Sequence, residues 1–226
     1  MGEKDSIIKL FRENVKGRKP ERLKNDADGD EGHWLEKQFG IKPNGNNAPD
    51  ILGYELKNDT RSKTTFGDWQ ASVYIFDKKT GSCSRSEFFR LFGAPNHDKG
   101  GRYSWSGKPF PNVKRWNDFG QKLVLDDSGS VYALYRFDMD KRENKEQIIP
   151  SRYKEKTVTL AYWDKDRLKN LVESKFNNRG WFKCFKDESG TYFEIGFGKP
   201  ITFEMFIAGV RSGAIYLDSG MYEGNA

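Results

Sequence analysis

Several classes of chain are excluded by what this one has little of. It carries only two cysteines, Cys83 and Cys184, in 226 residues, too few for a disulfide scaffold or a cysteine-only metal cluster. Both are expected to be buried free thiols, which suits a reducing cytoplasm. Its two histidines, His33 and His97, stand alone, without metal-ligand spacing. No apolar run approaches the roughly 18–20 residues of a membrane span. The start, MGEKDSIIKLFREN, puts charges where a secretory signal would carry its apolar region. There is no internal repeat, no phosphate-cradling Gly-x-x-x-x-Gly-Lys-Ser/Thr loop and no nucleophile elbow, so chemistry that needs a nucleoside triphosphate or a serine nucleophile is not expected.

What is present is a polar surface over a ring-rich interior. Charged residues make up 32% of the chain and mean hydropathy is −0.86, yet aromatics reach 15%, more than a disordered chain carries. A chain of 226 residues forms one generous domain or two tightly joined lobes. Thirty-nine Lys and Arg against 33 acids give +6 and a pI near 9.1, compatible with a polyanionic partner and equally with plain solubility.

Along the chain, Ile7, Ile8, Leu10 and Phe11 form a helical stripe with Ser6 as the expected cap. HWLEKQFG is a short helix stopped by Gly40, and KPNGNNAP is dense turn chemistry. DILGYELKN and WQASVYIF have strand character. From Gly93 to Gly120 the chain is expected to be one long irregular segment crowded with Gly, Pro, basic residues and Trp. Loops of that length are usually functional or disordered, and the rings argue against disorder. Hairpins are expected around Ser128-Gly129 and Ser189-Gly190. Between them come a strand TVTLAYWD and an amphipathic helix DRLKNLVESKF; a helix TFEMFIAGVRSG and a short strand AIYLDSG follow. The fold class is α/β in the broad sense, an α+β chain with a mixed sheet, and no serial βαβα pattern suggests a barrel or a dinucleotide fold.

The stretch Pro49-Asp50-Ile51-Leu52-Gly53-Tyr54-Glu55-Leu56-Lys57 carries the chemistry. In a strand Glu55 and Lys57 share a face. Asp50 sits in the turn before it, and Gly53 allows a bend. Two converging carboxylates suit Mg²⁺, a hard ion that takes one or two carboxylates plus water and phosphate oxygens. The Lys57 ammonium can orient or help deprotonate a water and neutralise a phosphate. Glu36, on the preceding helix, could complete the acidic cluster; the alternative for this residue is a solvent-facing helix acid. The loose pattern is weak by itself, because Asp138, Glu143 and Lys145 repeat its spacing at the connector MDKRENKEQ. That copy lacks apolar alternation and a strand, and is expected to be solvated.

With those residues in hand, the chain resembles the PD-(D/E)XK nucleases: a helix with Glu, then Pro-Asp, then Glu-x-Lys on a strand. HWLEKQFG…NNAPDILGYELKN is similar to the MvaI/BcnI family of type II restriction endonucleases, relatives of the repair nickase MutH. The likeness extends through GGRYSWSGKPFPN and GVRSGAIYLDSGMYEGN. The resemblance implies a restriction-endonuclease-like core with a DNA-recognition lobe, and Mg²⁺-dependent hydrolysis of duplex DNA by a monomer at a short CC-N-GG-like site, leaving a 5′-phosphate. It assigns Asp50 and Glu55 as metal ligands with the Leu56 carbonyl, and Lys57 and Glu36 as catalytic residues. A cognate DNA methyltransferase is the implied genetic partner. Relatives are expected to continue beyond Gly224-Asn225-Ala226 with further basic residues.

Residues 1–92 are expected to form the catalytic half and 93–226 the recognition loop and remaining elements. Arg61, Lys63 and Thr64 in NDTRSKTTFGDW suit phosphate oxygens, as a polar turn of the same composition would without any ligand. Arg102, Tyr103, Trp105, Lys108 and Asn112 suit base edges and phosphates, unless the loop's rings simply pack down. Arg211 joins this DNA-binding set through the resemblance. Two other readings are a MutH-like nickase, dependent on a partner and a methylation mark, and a DNA-binding module without catalysis.

Overall fold

The computed structural model describes residues 2–20, 30–42, 47–57, 70–79, 81–97 and 100–224. They divide into two compact units: residues 1–62 with 171–203, and 63–170 with 204–226. This division does not follow the expected boundary at 92/93, because the chain returns to the first unit after forming most of the second. Among the described residues no helix is long and apolar enough to cross a membrane.

In the first unit, helix α1 (Glu3–Asn14) buries Ile7 and Phe11, one turn apart, and Val15 follows at the same interval. The helix begins earlier than expected. Gly2 is its N-cap, with the Gly2 N–H donating to Asp5 (3.1 Å), while the Ser6 hydroxyl donates back to the Gly2 carbonyl inside the first turn. Helix α2 (Asp30–Gln38) ends as expected at Gly40, whose φ of 70° is left-handed, and the Ile41 N–H closes onto the Glu36 carbonyl at 2.8 Å.

The sheet of this unit runs β1 (Tyr54–Lys57), β8 (Gly180–Lys186), β9 (Tyr192–Gly198). β8 and β9 form the expected hairpin, and the Asp187 carboxylate ties its turn by accepting from the Ser189 and Thr191 amides. β1 pairs with β8 in parallel, which demands a long crossover. That crossover contains most of the second unit and ends in α5 (Lys165–Phe176), whose last turns belong to the first unit. The helices and the sheet share a core of Ile7, Phe11, Leu35, Phe39, Phe182, Cys184 and Tyr192. Cys184 is fully buried, as expected, whereas Cys83, in the second unit, is only half-buried.

The second unit is built on a four-stranded sheet ordered β2 (Val73–Tyr74), β7 (Val158–Trp163), β6 (Val131–Asp140), β5 (Phe119–Leu125). WQASVYIF contributes only its two-residue β2. The β5–β6 hairpin turns on Asp126, whose carboxylate accepts from the Gly129 and Ser130 amides, both at 2.9 Å. A short helix α4 (Lys145–Ile148) follows β6. Helix α3 (Arg85–Phe92), which the reading of the chain missed, starts at a reciprocal Ser84–Glu87 capping box. A second sheet joins β3 (Ala94–Asn96), β4 (Arg102–Trp105) and β10 (Met221–Tyr222). The Gly93–Gly120 segment is therefore not one irregular loop, and the expected strand AIYLDSG is displaced to Met221–Tyr222. Helix α6 (Phe203–Ser212) completes the chain's helices among the described residues.

Candidate active site

Asp50 is aimed by a tight turn. Ile51 and Tyr54 exchange backbone hydrogen bonds of 3.0 and 2.8 Å across Leu52 and Gly53, whose φ values are 50° and 80°. Two central residues with positive φ make this a mirror-type hairpin turn, for which Gly53 is well chosen and Leu52 is strained. The turn is anchored where the Arg179 N–H donates to the Gly53 carbonyl (3.1 Å). It folds the chain back so that the Leu56 N–H donates to Asp50 Oδ2 at 2.8 Å. That bond lies on the edge of β1 away from β8, and a strand residue's carbonyl leaves on the same side as its N–H. Asp50 and the Leu56 carbonyl thus share one edge.

Glu55, in the middle of β1, is 3% exposed. Its Oε1 accepts from Lys57 Nζ and from Lys175 Nζ, both at 3.2 Å, and its buried Oε2 has no hydrogen-bond partner among the described residues. The shared face expected for Glu55 and Lys57 is present. Burial pushes the Glu55 carboxyl above its ordinary value, the ammoniums of Lys57 and Lys175 oppose that, and Asp50 adds to it. Burial likewise holds the Lys57 ammonium below the usual lysine value, against the pull of Glu55 and with the push of Lys175. Lys57 Nζ also lies 5.0 Å from the Phe176 ring centroid. Lys175, from the last turn of α5, was not anticipated, since a helical lysine far along the chain carries no signal of its destination.

The donor chemistry fits a hard divalent ion. An orphaned carboxylate oxygen, a second carboxylate and a backbone carbonyl are oxygen ligands of the kind Mg²⁺ takes alongside water and phosphate oxygens. Among the described residues no three Asp, Glu, His or Cys side chains come together to hold a metal, and among the leading influences on Glu55 Asp50 is the acid; Glu36, on α2, is half-buried.

The expected DNA-contacting residues separate. Trp105 is corrected to a core residue: it is fully buried, edge-on to Phe88 (5.0 Å between centroids) and 4.8 Å from Phe110, and its indole N–H donates to the buried Gln121 at 2.7 Å. With its ring covered and its one donor in use, it has nothing to offer a base. Arg102 and Tyr103 are half-buried on β4, with the Arg102 guanidinium 3.9 Å from the Tyr222 ring centroid. Lys108 and Arg211 are exposed. Asn112 Oδ1 accepts from the Lys114 and Arg115 amides. Lys108 and Asn112 meet in a cavity of about 700 Å³ in the second unit, with Arg115, Trp116, Lys141 and Tyr216, which the sequence reading did not single out. Arg61, Lys63 and Thr64 lie outside the described residues.

Comparison with known proteins follows the same lines. In architecture the chain is similar to the restriction endonuclease MvaI in its complex with cognate DNA, with a TM-score of 0.61 at 16% identity, covering 94% of this chain and 81% of that one. In sequence it is 45% identical over 244 residues to the type II restriction enzyme ScrFI of Lactococcus lactis subsp. cremoris, covering 98% of this chain and 90% of that protein. The LlaMI restriction endonuclease family model matches residues 12–226, a span that takes in β1, its turn, the second unit and all of the first but residues 1–11. A restriction-endonuclease-like fold, an edge strand carrying Glu-x-Lys behind an aimed Asp, and a family match over nearly the whole length agree: this chain belongs to the LlaMI restriction endonuclease family.

Proposed function

We propose that the β1 site hydrolyses phosphodiester bonds of duplex DNA with Mg²⁺, held by Asp50, Glu55 and the Leu56 carbonyl, at a short CC-N-GG-like site. The enzyme class is that of the family, a type II restriction endonuclease, a site-specific deoxyribonuclease. The observation that carries the metal assignment is the buried, unpartnered Glu55 Oε2 beside the turn that aims Asp50. When bound, Mg²⁺ supplies Lewis-acid stabilisation of the phosphate and a more acidic water. The chain's own part is to fix Asp50 through the Leu56 N–H, keep Glu55 out of solvent, and hold the Lys57 ammonium against the same carboxylate, where it can orient the water and offset developing charge.

Recognition falls to the second unit. Lys108, Asn112, Arg115 and Lys141, with the Trp116 ring, give one cavity wall donors for phosphates and base edges. Arg102, Tyr103, Arg211, Lys63 and Thr64 extend this set, and Arg61, from the end of the first unit's opening stretch, adds to it. A monomer acting in the cytoplasm beside a cognate methyltransferase completes the reading. One catalytic site per chain aligns one water with one phosphate, so a duplex is cut strand by strand.

Digesting a sequenced plasmid with the purified chain and Mg²⁺, then reading the ends, tests this. Discrete fragments ending in a CC-N-GG-type sequence, a nicked intermediate at limiting enzyme and one protein per site on sedimentation are expected. Cutting that needs an added partner protein would favour the nickase reading, and binding without cutting would leave only the recognition module.

A further inference from the structure

Glu55 holds two ammoniums on one oxygen and none on the other. The two lysines are not equivalent. Lys57 comes from the same strand two residues on, so its reach is set by β1, and its side chain is 13% exposed. Lys175 is 24% exposed and arrives on a long side chain from the end of α5. Its helix is fastened to the segment leading into the Asp50 turn, where the Asn47 amide donates to the Leu171 carbonyl (2.8 Å) and Ser174 Oγ (2.6 Å). The backbone of Lys175 is therefore fixed beside the site while its ammonium sits at the more open side.

Charge balance gives that placement a consequence. Among the described residues Asp50 and Glu55 are matched by Lys57 and Lys175, so the charges of these four groups cancel. A divalent cation added to the site would leave two uncompensated positive charges in a largely buried place, which is unfavourable. A phosphodiester changes the balance, because it brings negative charge and offers the Lys175 ammonium a new acceptor. Resting on the metal assignment above, we infer that Lys175 is a positioning residue that takes a metal's electrostatic place on Glu55 in the DNA-free enzyme, so that tight metal binding awaits a phosphodiester. Metal and DNA would then each strengthen binding of the other, as linkage requires.

Calorimetric titration of the full chain with Ca²⁺, which takes the same oxygen ligands, tests this without turnover. Lys175→Met should bind Ca²⁺ at least about fivefold more tightly than wild type in the absence of DNA, the lower end of ordinary coupling, and Lys175→Arg should restore the wild-type value. A gain below fivefold, or a loss, overturns the inference. With a duplex containing the cut site, the gain in Ca²⁺ affinity should be larger in wild type than in Lys175→Met; equal gains also overturn it. Circular dichroism melts establish that each variant is folded, and Lys175→Gln replaces Lys175→Met if the latter is not. Asp50→Asn separates the two claims. If it leaves Ca²⁺ binding unchanged, the metal assignment itself fails; if it weakens binding while Lys175→Met does not strengthen it, only the role of Lys175 fails.

Discussion

The chain contains the spacing Asp-x-x-x-x-Glu-x-Lys twice, and the two copies have opposite fates. In the first, Asp50 is folded back by a strained turn onto the Leu56 amide, and Glu55 is buried on an edge strand with an oxygen to spare. In the second, Asp138 is paired side-on with Arg136 at the surface, its side chain 55% exposed, and Glu143 is exposed. Lys145 donates to the Phe137 and Asp140 carbonyls instead, at 3.2 and 2.7 Å. In the second copy a strand carries only the first acid: β6 ends at Asp140, Glu143 lies in a turn and Lys145 starts α4, so no strand holds its Glu-x-Lys, as the sequence suggested. Its three side chains accordingly take separate partners and do not converge. Identical spacing makes a site only where a turn aims the first acid and burial leaves the second one short of partners.

The largest expected difference between the copies is catalytic. Lys57→Ala should lower single-turnover cleavage by about 10²–10³-fold, the usual cost of losing a group that meets developing charge, and chelation of the metal should abolish it until Mg²⁺ is returned. Lys145→Met should do the reverse. Turnover should stay within a few-fold, while denaturant unfolding should show a loss of about 1–2 kcal/mol for two backbone acceptors left without their donor. A catalytic loss from Lys145→Met to match that from Lys57→Ala would erase the distinction.

A smaller, directional test uses pH. Glu55 is held above its ordinary value, mainly by burial, so between its unfolded and folded values the folded state binds more protons than the unfolded one. Its contribution is full below the unfolded value and is lost as pH rises through the folded one, so wild type should lose ground to Glu55→Gln as pH rises above the ordinary glutamate value. Asp138 is held low by its hydrogen bonds to Arg136. Its contribution is present above the unfolded value and is lost as pH falls through the folded one, so any advantage of wild type over Asp138→Asn should close on acidification. Thermal melts across pH read both slopes, and slopes of the same sign would show that the two environments are alike.

What was legible in the sequence follows from how local each cause is. Pro49, Gly53 and the apolar Ile51 and Leu56 place Asp50, Glu55 and Lys57 within one turn and one strand, and nearest-neighbour chemistry suffices to read them. Gly40 and the two hairpin turns are local in the same way. The Ser84–Glu87 box was as legible and simply escaped notice. Lys175 was not legible, because its place on Glu55 depends on α5 returning to the sheet after most of the second unit. Trp105 misled for a related reason: glycines around it signal a surface loop, but Phe88 and Phe110 cover its ring, and only tertiary packing reveals that.

The central claim, that only the β1 copy holds reactive geometry, is tested most directly by single-turnover cleavage of one supercoiled plasmid by Asp50→Asn and Asp138→Asn side by side in Mg²⁺. Asp50→Asn should lose at least about 100-fold while Asp138→Asn stays within a few-fold of wild type; Asp50→Asn cutting at the wild-type rate, or Asp138→Asn losing as much, would contradict the account.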